Sequence, residues 1–181
     1  MVETDKQELK REIISWTKTV VLAVVFALCI TQFVIVNAKV PTGSMMDNIQ
    51  PNDRIVAFRL SYLNSDPKRF DIVVFHNPDN RSQLYVKRII GLPEETVTIR
   101  DGKVYINNEP VPLDDSFVRE PPYKEDFGPY TVPMEHYFMM GDNRNTSLDA
   151  RYWDNKYVPK NDILGKVLFR YYPGIKSLLD I

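Results

Sequence analysis

Val20-Val-Leu-Ala-Val-Val-Phe-Ala-Leu-Cys-Ile-Thr-Gln-Phe-Val-Ile-Val36 decides how this chain is organised. Only Thr31 and Gln32 interrupt its apolar character, and Asn37 and Ala38 extend it. At about 1.5 Å per residue, a helix of that length approaches the roughly 30 Å hydrocarbon core of a bilayer. Nothing in it marks a polar face, as an amphipathic core helix would require. Trp16 and Lys18 stand where an interfacial aromatic and a snorkelling cation belong. Lys6, Lys10, Arg11 and Lys18 precede the run, whereas only Lys39 and Arg54 lie comparably close after it. The positive-inside rule then predicts three segments: 1–18 cytoplasmic, 19–38 transmembrane, and 39–181 on the far side of the cell membrane. A cleaved leader is the rival reading, because Val36-Asn37-Ala38 resembles a small-residue cleavage site. Against it stand the length of the run and the acids Glu3, Asp5, Glu8 and Glu12 before it, so a retained single-pass anchor is expected.

Beyond Lys39 the pattern changes to short apolar or alternating runs broken by turn residues. Arg54–Phe58, Asp71–Phe75, Leu84–Gly91, His136–Gly141 and Ile163–Tyr172 read as strands. Thr96–Arg100 and Lys103–Asn107 flank Asp101-Gly102, a hairpin signal. Asp114–Pro133, rich in proline, acids and aromatics, reads as a long surface excursion. The expected fold is therefore mainly β: one N-terminal transmembrane helix followed by an antiparallel all-β domain.

Bulk properties narrow the function classes. A net charge of −1 argues against a nucleic-acid surface. The lone Cys29 sits in the apolar run and forms no intrachain disulfide. With two histidines and no usable cysteine, a metal site is not expected. Asp142 and Asp149 are read as partners of nearby arginines rather than as metal ligands.

The residues that could carry chemistry fall in four segments. Val40-Pro-Thr-Gly-Ser-Met-Met46 carries Ser44 beside a glycine. Asp71–Phe75 is an apolar strand. Tyr85-Val-Lys-Arg-Ile-Ile-Gly-Leu-Pro93 holds a lysine within a hydrophobic strand. Gly141-Asp-Asn-Arg-Asn-Thr-Ser-Leu-Asp-Ala-Arg151 is a dense polar loop. Lys87 and Arg88 point to opposite faces, so one must turn toward the apolar side. Lysine suits that side, since burial lowers its pKa and yields a neutral base able to activate a serine. On spacing alone, a loop serine and a strand lysine carry little information. Met45, Met46 and Ile49 are read with two outcomes open, a buried role or contact with the membrane surface.

In this order behind an N-terminal anchor, the four segments resemble the sequence boxes of bacterial type I signal peptidases (leader peptidases, family S26), in the small single-anchor form of Gram-positive bacteria. The resemblance implies a serine endopeptidase with Ser44 as nucleophile and Lys87 as general base. It implies an oxyanion hole of the Ser44 N–H and the Thr42 hydroxyl. It implies that Ser147 hydrogen-bonds the Lys87 amine, and that Arg88, Asp142, Asp149 and Arg151 form supporting ion pairs, Arg88 with Asp142 and Asp149 with Arg151. One departure stands out: after Ser-Met the family usually reads x-Pro-Thr-Leu, where this chain has Met46-Asp47-Asn48-Ile49. The implied partners are exported preproteins bearing signal peptides and the lipid bilayer, with no nucleic acid, metal or cofactor. The cleavage segment would dock as an added strand beside Val40–Ser44 and Leu84–Lys87 and be cut after small residues. Two rivals remain: a self-cleaving repressor-type Ser/Lys protease, opposed by the apolar span, and an inactive membrane-tethered β-domain that only binds exported chains.

Overall fold

The structure, a computed structural model, describes residues 2–179. It comprises two compact units that divide between Ile35 and Val36. The first is helix α1 (Val2–Cys29), continued by a π-helical segment, Ile30–Val34. The stretch Gln7–Val34 is long and apolar enough to cross a membrane. Strand β1 (Ile35–Lys39) starts before Ala38, so the helical segment ends short of the expected 19–38 boundary. The β-branched run Val34-Ile35-Val36 favours extended backbone there.

The second unit holds the remaining strands. They are β2 (Arg54–Phe58), β3 (Ile72–His76), β4 (Leu84–Gly91), β5 (Thr96–Arg100), β6 (Lys103–Ile106), β7 (Phe127–Thr131), β8 (His136–Met140), β9 (Val158–Pro159), β10 (Ile163–Tyr172) and β11 (Lys176–Ser177). The larger sheet runs β1-β2-β10-β3-β4-β8-β9, with β11 on β10. From β2 to β9 its successive pairs are antiparallel. A smaller sheet runs β6-β5-β7, and its β5–β6 turn puts Asp101 and Gly102 at φ 49° and 77°. Those left-handed values are what a two-residue hairpin needs and what Asp-Gly tolerates.

The Asp114–Pro133 stretch differs from expectation. Its end forms β7, which pairs with β5 through Thr96↔Thr131 and Val97↔Tyr130. Its Phe117 packs half-buried beside Phe70, with ring centroids 5.4 Å apart. Prolines and acids masked a strand that, among the described residues, pairs only with β5 and forms one edge of the small sheet.

Two apolar clusters flank the larger sheet. One gathers Val73, Phe75, Ile89, Val97, Phe138, Met139 and Trp153. The other gathers Val36, Val40, Met45, Ile49, Ile55, Ile72, Val74 and Val167. Met45 and Ile49 have no exposed surface, which excludes the membrane-surface reading for them; Met46 is 37% exposed. Their burial anchors the loop that carries Ser44, because each side chain removed from water contributes about 1.5–3 kcal/mol.

Candidate active site

Strand β4 sets the site. Its Leu84–Arg88 stretch pairs throughout with β3, including Val73↔Lys87 and Ile72↔Arg88. On its other edge β8 pairs only from Arg88 onward, starting at Arg88↔Met140. Among the described residues, that edge of Leu84–Lys87 therefore has no strand partner, and the four residues line a cavity of about 520 Å³. The opposite wall is Asn37–Ser44, Val74 contributes from β3, and Thr146 and Leu148 come from the polar loop. Ser44 and Lys87 thus face one cavity from different elements.

The sequence offered a choice between Lys87 and Arg88 for the apolar side. Both are buried, at 3% and 0% exposure, because Ile72–Phe75 of β3 is covered on both faces. The two cations are handled differently. Arg88 donates from Nε to Asp142 Oδ1 at 2.8 Å, from Nη2 to Asp142 Oδ2 at 2.6 Å, and from Nη1 to the Phe70 carbonyl at 2.9 Å. Its guanidinium carbon lies 4.0 Å from the Phe117 ring centroid. A planar fork satisfied on both sides tolerates burial as an ion. Lys87 makes no ion pair, and its amine makes no hydrogen bond among the described residues. Burial pushes its pKa down to about 8; the Asp149 charge opposes that shift, Arg151 adds to it, and Asp142 opposes it. Desolvation disfavours the ammonium form, so the amine is neutral in a useful fraction near neutral pH.

Ser44 sits two residues after Thr42, whose Oγ1 is 3.5 Å from Ser44 Oγ. Among the described residues the Ser44 N–H donates to nothing. Two bonds clasp this segment to the polar loop: Asn143 N–H to the Ser44 carbonyl at 3.1 Å, and Asn143 Nδ2 to the Gly43 carbonyl at 3.3 Å. Gly141 makes the approach possible, because a Cβ there would run into Ser147 Oγ and the Ser44 carbonyl. Asp149 accepts from Arg151 Nε at 2.8 Å and from the Gly141 N–H at 3.0 Å. Arg151 in turn donates to the Arg144 carbonyl at 2.7 Å, which closes the polar loop on itself.

Ser147 differs from what the resemblance implied. Its Oγ is buried with no hydrogen-bond partner, so the bond to the Lys87 amine is not formed here. Its hydroxyl lies against Gly141, on the Ser44 carbonyl side of the loop.

Sequence reasoning missed other members of the site. Arg144, 3% exposed, pairs with Asp115 at 2.6 Å and so ties the 114–127 stretch over the polar loop. Asn145 reinforces this by accepting from the Tyr123 N–H at 2.8 Å. Asn48, 4% exposed, donates to Asp142 Oδ2 at 2.8 Å. No local pattern announces these residues, since each acts across a long separation in sequence.

The family model described as "Signal peptidase, peptidase S26" matches residues 13–172. The chain is 38% identical to "Signal peptidase I" of Leptolyngbya laminosa, over 86% of this chain and 78% of the relative. It is 34% identical to "Signal peptidase I S" of Bacillus subtilis (strain 168), over 95% of this chain and 96% of the relative. Among solved structures, a signal peptidase I from Enterococcus faecalis V583 is 35% identical, with a TM-score of 0.48, covering 56% of this chain and 97% of that one.

Proposed function

The chain belongs to the signal peptidase S26 family, and from that premise we propose that it removes signal peptides as a Ser/Lys endopeptidase, with Ser44 as nucleophile and Lys87 as base. One observation carries the assignment of the base. Lys87 is a buried amine without an ionic partner, on the same cavity as Ser44, with its pKa near 8.

The reaction follows from these groups. Neutral Lys87 takes the Ser44 proton as Oγ bonds to the scissile carbonyl carbon. The charge that develops on the carbonyl oxygen is met by the Ser44 N–H and the Thr42 hydroxyl. Lys87 returns the proton to the leaving amine as the C–N bond breaks. A water molecule, deprotonated in turn by Lys87, hydrolyses the ester and frees Ser44. The substrate lies as an extended strand on the unpaired edge of Leu84–Lys87, where its backbone completes hydrogen bonds that β8 leaves unmade. Small side chains are accepted next to the scissile bond. Asp149–Arg151 and Arg88–Asp142 hold the polar loop and β4 in register around the dyad.

The helix Gln7–Val34 anchors the enzyme in the cell membrane, with residues 1–18 in the cytoplasm and the β unit outside. Anchoring enzyme and preprotein in one bilayer raises their effective concentration. The test is direct. Purified full chain in lipid vesicles should cut a model preprotein after a small residue, and Ser44→Ala should not. Equal cleavage by Ser44→Ala removes the serine mechanism. A wild-type chain that binds the preprotein without cutting it favours a binding domain instead.

A further inference from the structure

Asn48 follows Ser44 by one turn of chain and is almost fully buried. Its amide nitrogen donates both hydrogens, one to the Phe117 carbonyl at 3.2 Å and one to Asp142 Oδ2 at 2.8 Å. Both neighbours are pure acceptors, so the orientation of the amide is dictated by chemistry. Asp142 is itself gripped by Arg88, the residue beside Lys87. Its other neighbour, Asn143, reaches back to the carbonyls of Gly43 and Ser44. The contacts close a ring from Ser44 through Asn48, Asp142 and Asn143 back to Ser44. On the Ser44 side the ring is stiffened by Asn48 N–H to the Met45 carbonyl at 3.1 Å and Ile49 N–H to the same carbonyl at 2.8 Å.

We infer that Asn48 is a positioning residue: by tying the Ser44 loop to the Asp142–Arg88 pair, it sets the placement of the nucleophile against Lys87 and the charge that Lys87 feels. The inference rests on the Ser/Lys reading above. Asn48 lies in the Met46–Ile49 segment, where the chain departs from the usual family pattern.

The electrostatic consequence has a sign. The charges acting on Lys87 are Asp149 and Asp142, which raise its pKa, and Arg151, which lowers it. Asp142 is in turn compensated by Arg88 and Asn48, it interacts with Arg144, and it borders a small pocket shared with Asp47 and Glu120. Removing the Asn48 donor leaves Asp142 less compensated, and its field at Lys87 becomes more negative. The proton on Lys87 is then held more tightly, and activity appears at higher pH.

The experiment measures kcat and KM against pH for full-length enzyme in lipid vesicles, with a synthetic preprotein as substrate. The variants are Asn48→Ala, Asn48→Leu and Asn48→Asp, with Lys87→Arg alongside and thermal unfolding followed for each. Expected is a fall in kcat of about tenfold at fixed pH, with KM within about twofold of wild type. The rising limb should move up by about half a unit for Asn48→Ala and Asn48→Leu, and less for Asn48→Asp, whose carboxyl shares a proton with the adjacent Asp142 and so keeps a donor there. Asn48→Leu and Asn48→Asp keep the branched shape and heavy-atom count of the side chain, so they carry the comparison if Asn48→Ala folds poorly. Folded variants with wild-type kcat and an unmoved limb, altered only in melting temperature, reduce Asn48 to a structural role and overturn the inference. An active Lys87→Arg enzyme instead removes the underlying assignment of the base.

Discussion

The Asn143 N–H donates to the Ser44 carbonyl at 3.1 Å, and the Asn143 side chain holds the carbonyl of Gly43. The N–H and C=O of one trans peptide point in opposite directions. Tethering the Gly43 carbonyl to the polar loop therefore turns the Ser44 N–H away from that loop, where it stays uncommitted. A donor left free in this way costs no reorganisation when an oxyanion forms.

Lys87 provides the first prediction. Wild-type kcat/KM should rise with pH through a midpoint near 8, as the buried amine loses its proton. Lys87→Arg should be inactive, by at least about 10³-fold, because a guanidinium does not deprotonate in proteins. Substantial turnover by a folded Lys87→Arg enzyme, read by cleavage of a preprotein, would falsify the role.

The same burial predicts a stability effect. The folded pKa of Lys87 is about 8 against 10.5 for the free side chain. Below pH 8 the group is charged in both states, and the folded state bears the full desolvation cost. Between 8 and 10.5 the unfolded chain binds more protons, so stability rises with pH across this window. Lys87→Met, which has nothing to desolvate as an ion, should be more stable than wild type at pH 7 by about 3 kcal/mol. The gap should close as pH rises toward 10.5. Denaturant midpoints of the two proteins at several pH values check this, and a gap independent of pH counts against it.

Thr42 separates an oxyanion donor from a merely extended residue. Its Oγ1 is 3.5 Å from Ser44 Oγ. Thr42→Val keeps the shape and loses the hydroxyl, and kcat should drop about 10²–10³-fold. Thr42→Ser keeps the hydroxyl and should stay within about tenfold of wild type. If steady-state kinetics give the reverse order, Thr42 leaves the oxyanion hole.

Gly141→Ala tests the clasp. The added Cβ collides with Ser147 Oγ and the Ser44 carbonyl, and a carbonyl cannot swing aside like a flexible side chain. We expect a loss of about 1–3 kcal/mol in stability. Activity should fall by about 10²-fold, because the nucleophile's loop is displaced. Wild-type activity in this variant would show that the loop relaxes freely.

Orientation is tested in intact cells lacking an outer membrane. Protease added outside should reach the 39–181 region. If a label in the 114–133 stretch reacts only after lysis, the N-in arrangement is wrong.

Much of the architecture was legible locally. Strands β2, β4, β5 and β10 occupy the segments that β-branched runs and turn residues marked out, because alternation and turn chemistry act over a few neighbours. Strand β7 was not legible: Phe127-Gly-Pro-Tyr-Thr131 carries a proline and a glycine, and it exists through its pairing with β5. The start of β1 at Ile35 was also missed, because apolar residues suit a membrane helix and a strand alike.

The amino-acid sequence by itself determined the apolar N-terminal helix and the β-rich character of the rest, each written in residue types over short spans. Ser44 and Lys87 became the pair worth testing only through the resemblance of four segments, taken in order, to the signal peptidase boxes. Tertiary structure decided how the two buried cations of β4 are treated: Arg88 pairs with Asp142, far along the chain, while Lys87 forms no ion pair among the described residues and burial makes its proton easier to lose. It also left Ser147 without the expected bond and brought Asn48 against Asp142. A pKa and a hydrogen bond depend on which groups fold to within a few ångströms of each other, and spacing along a chain does not contain that distance.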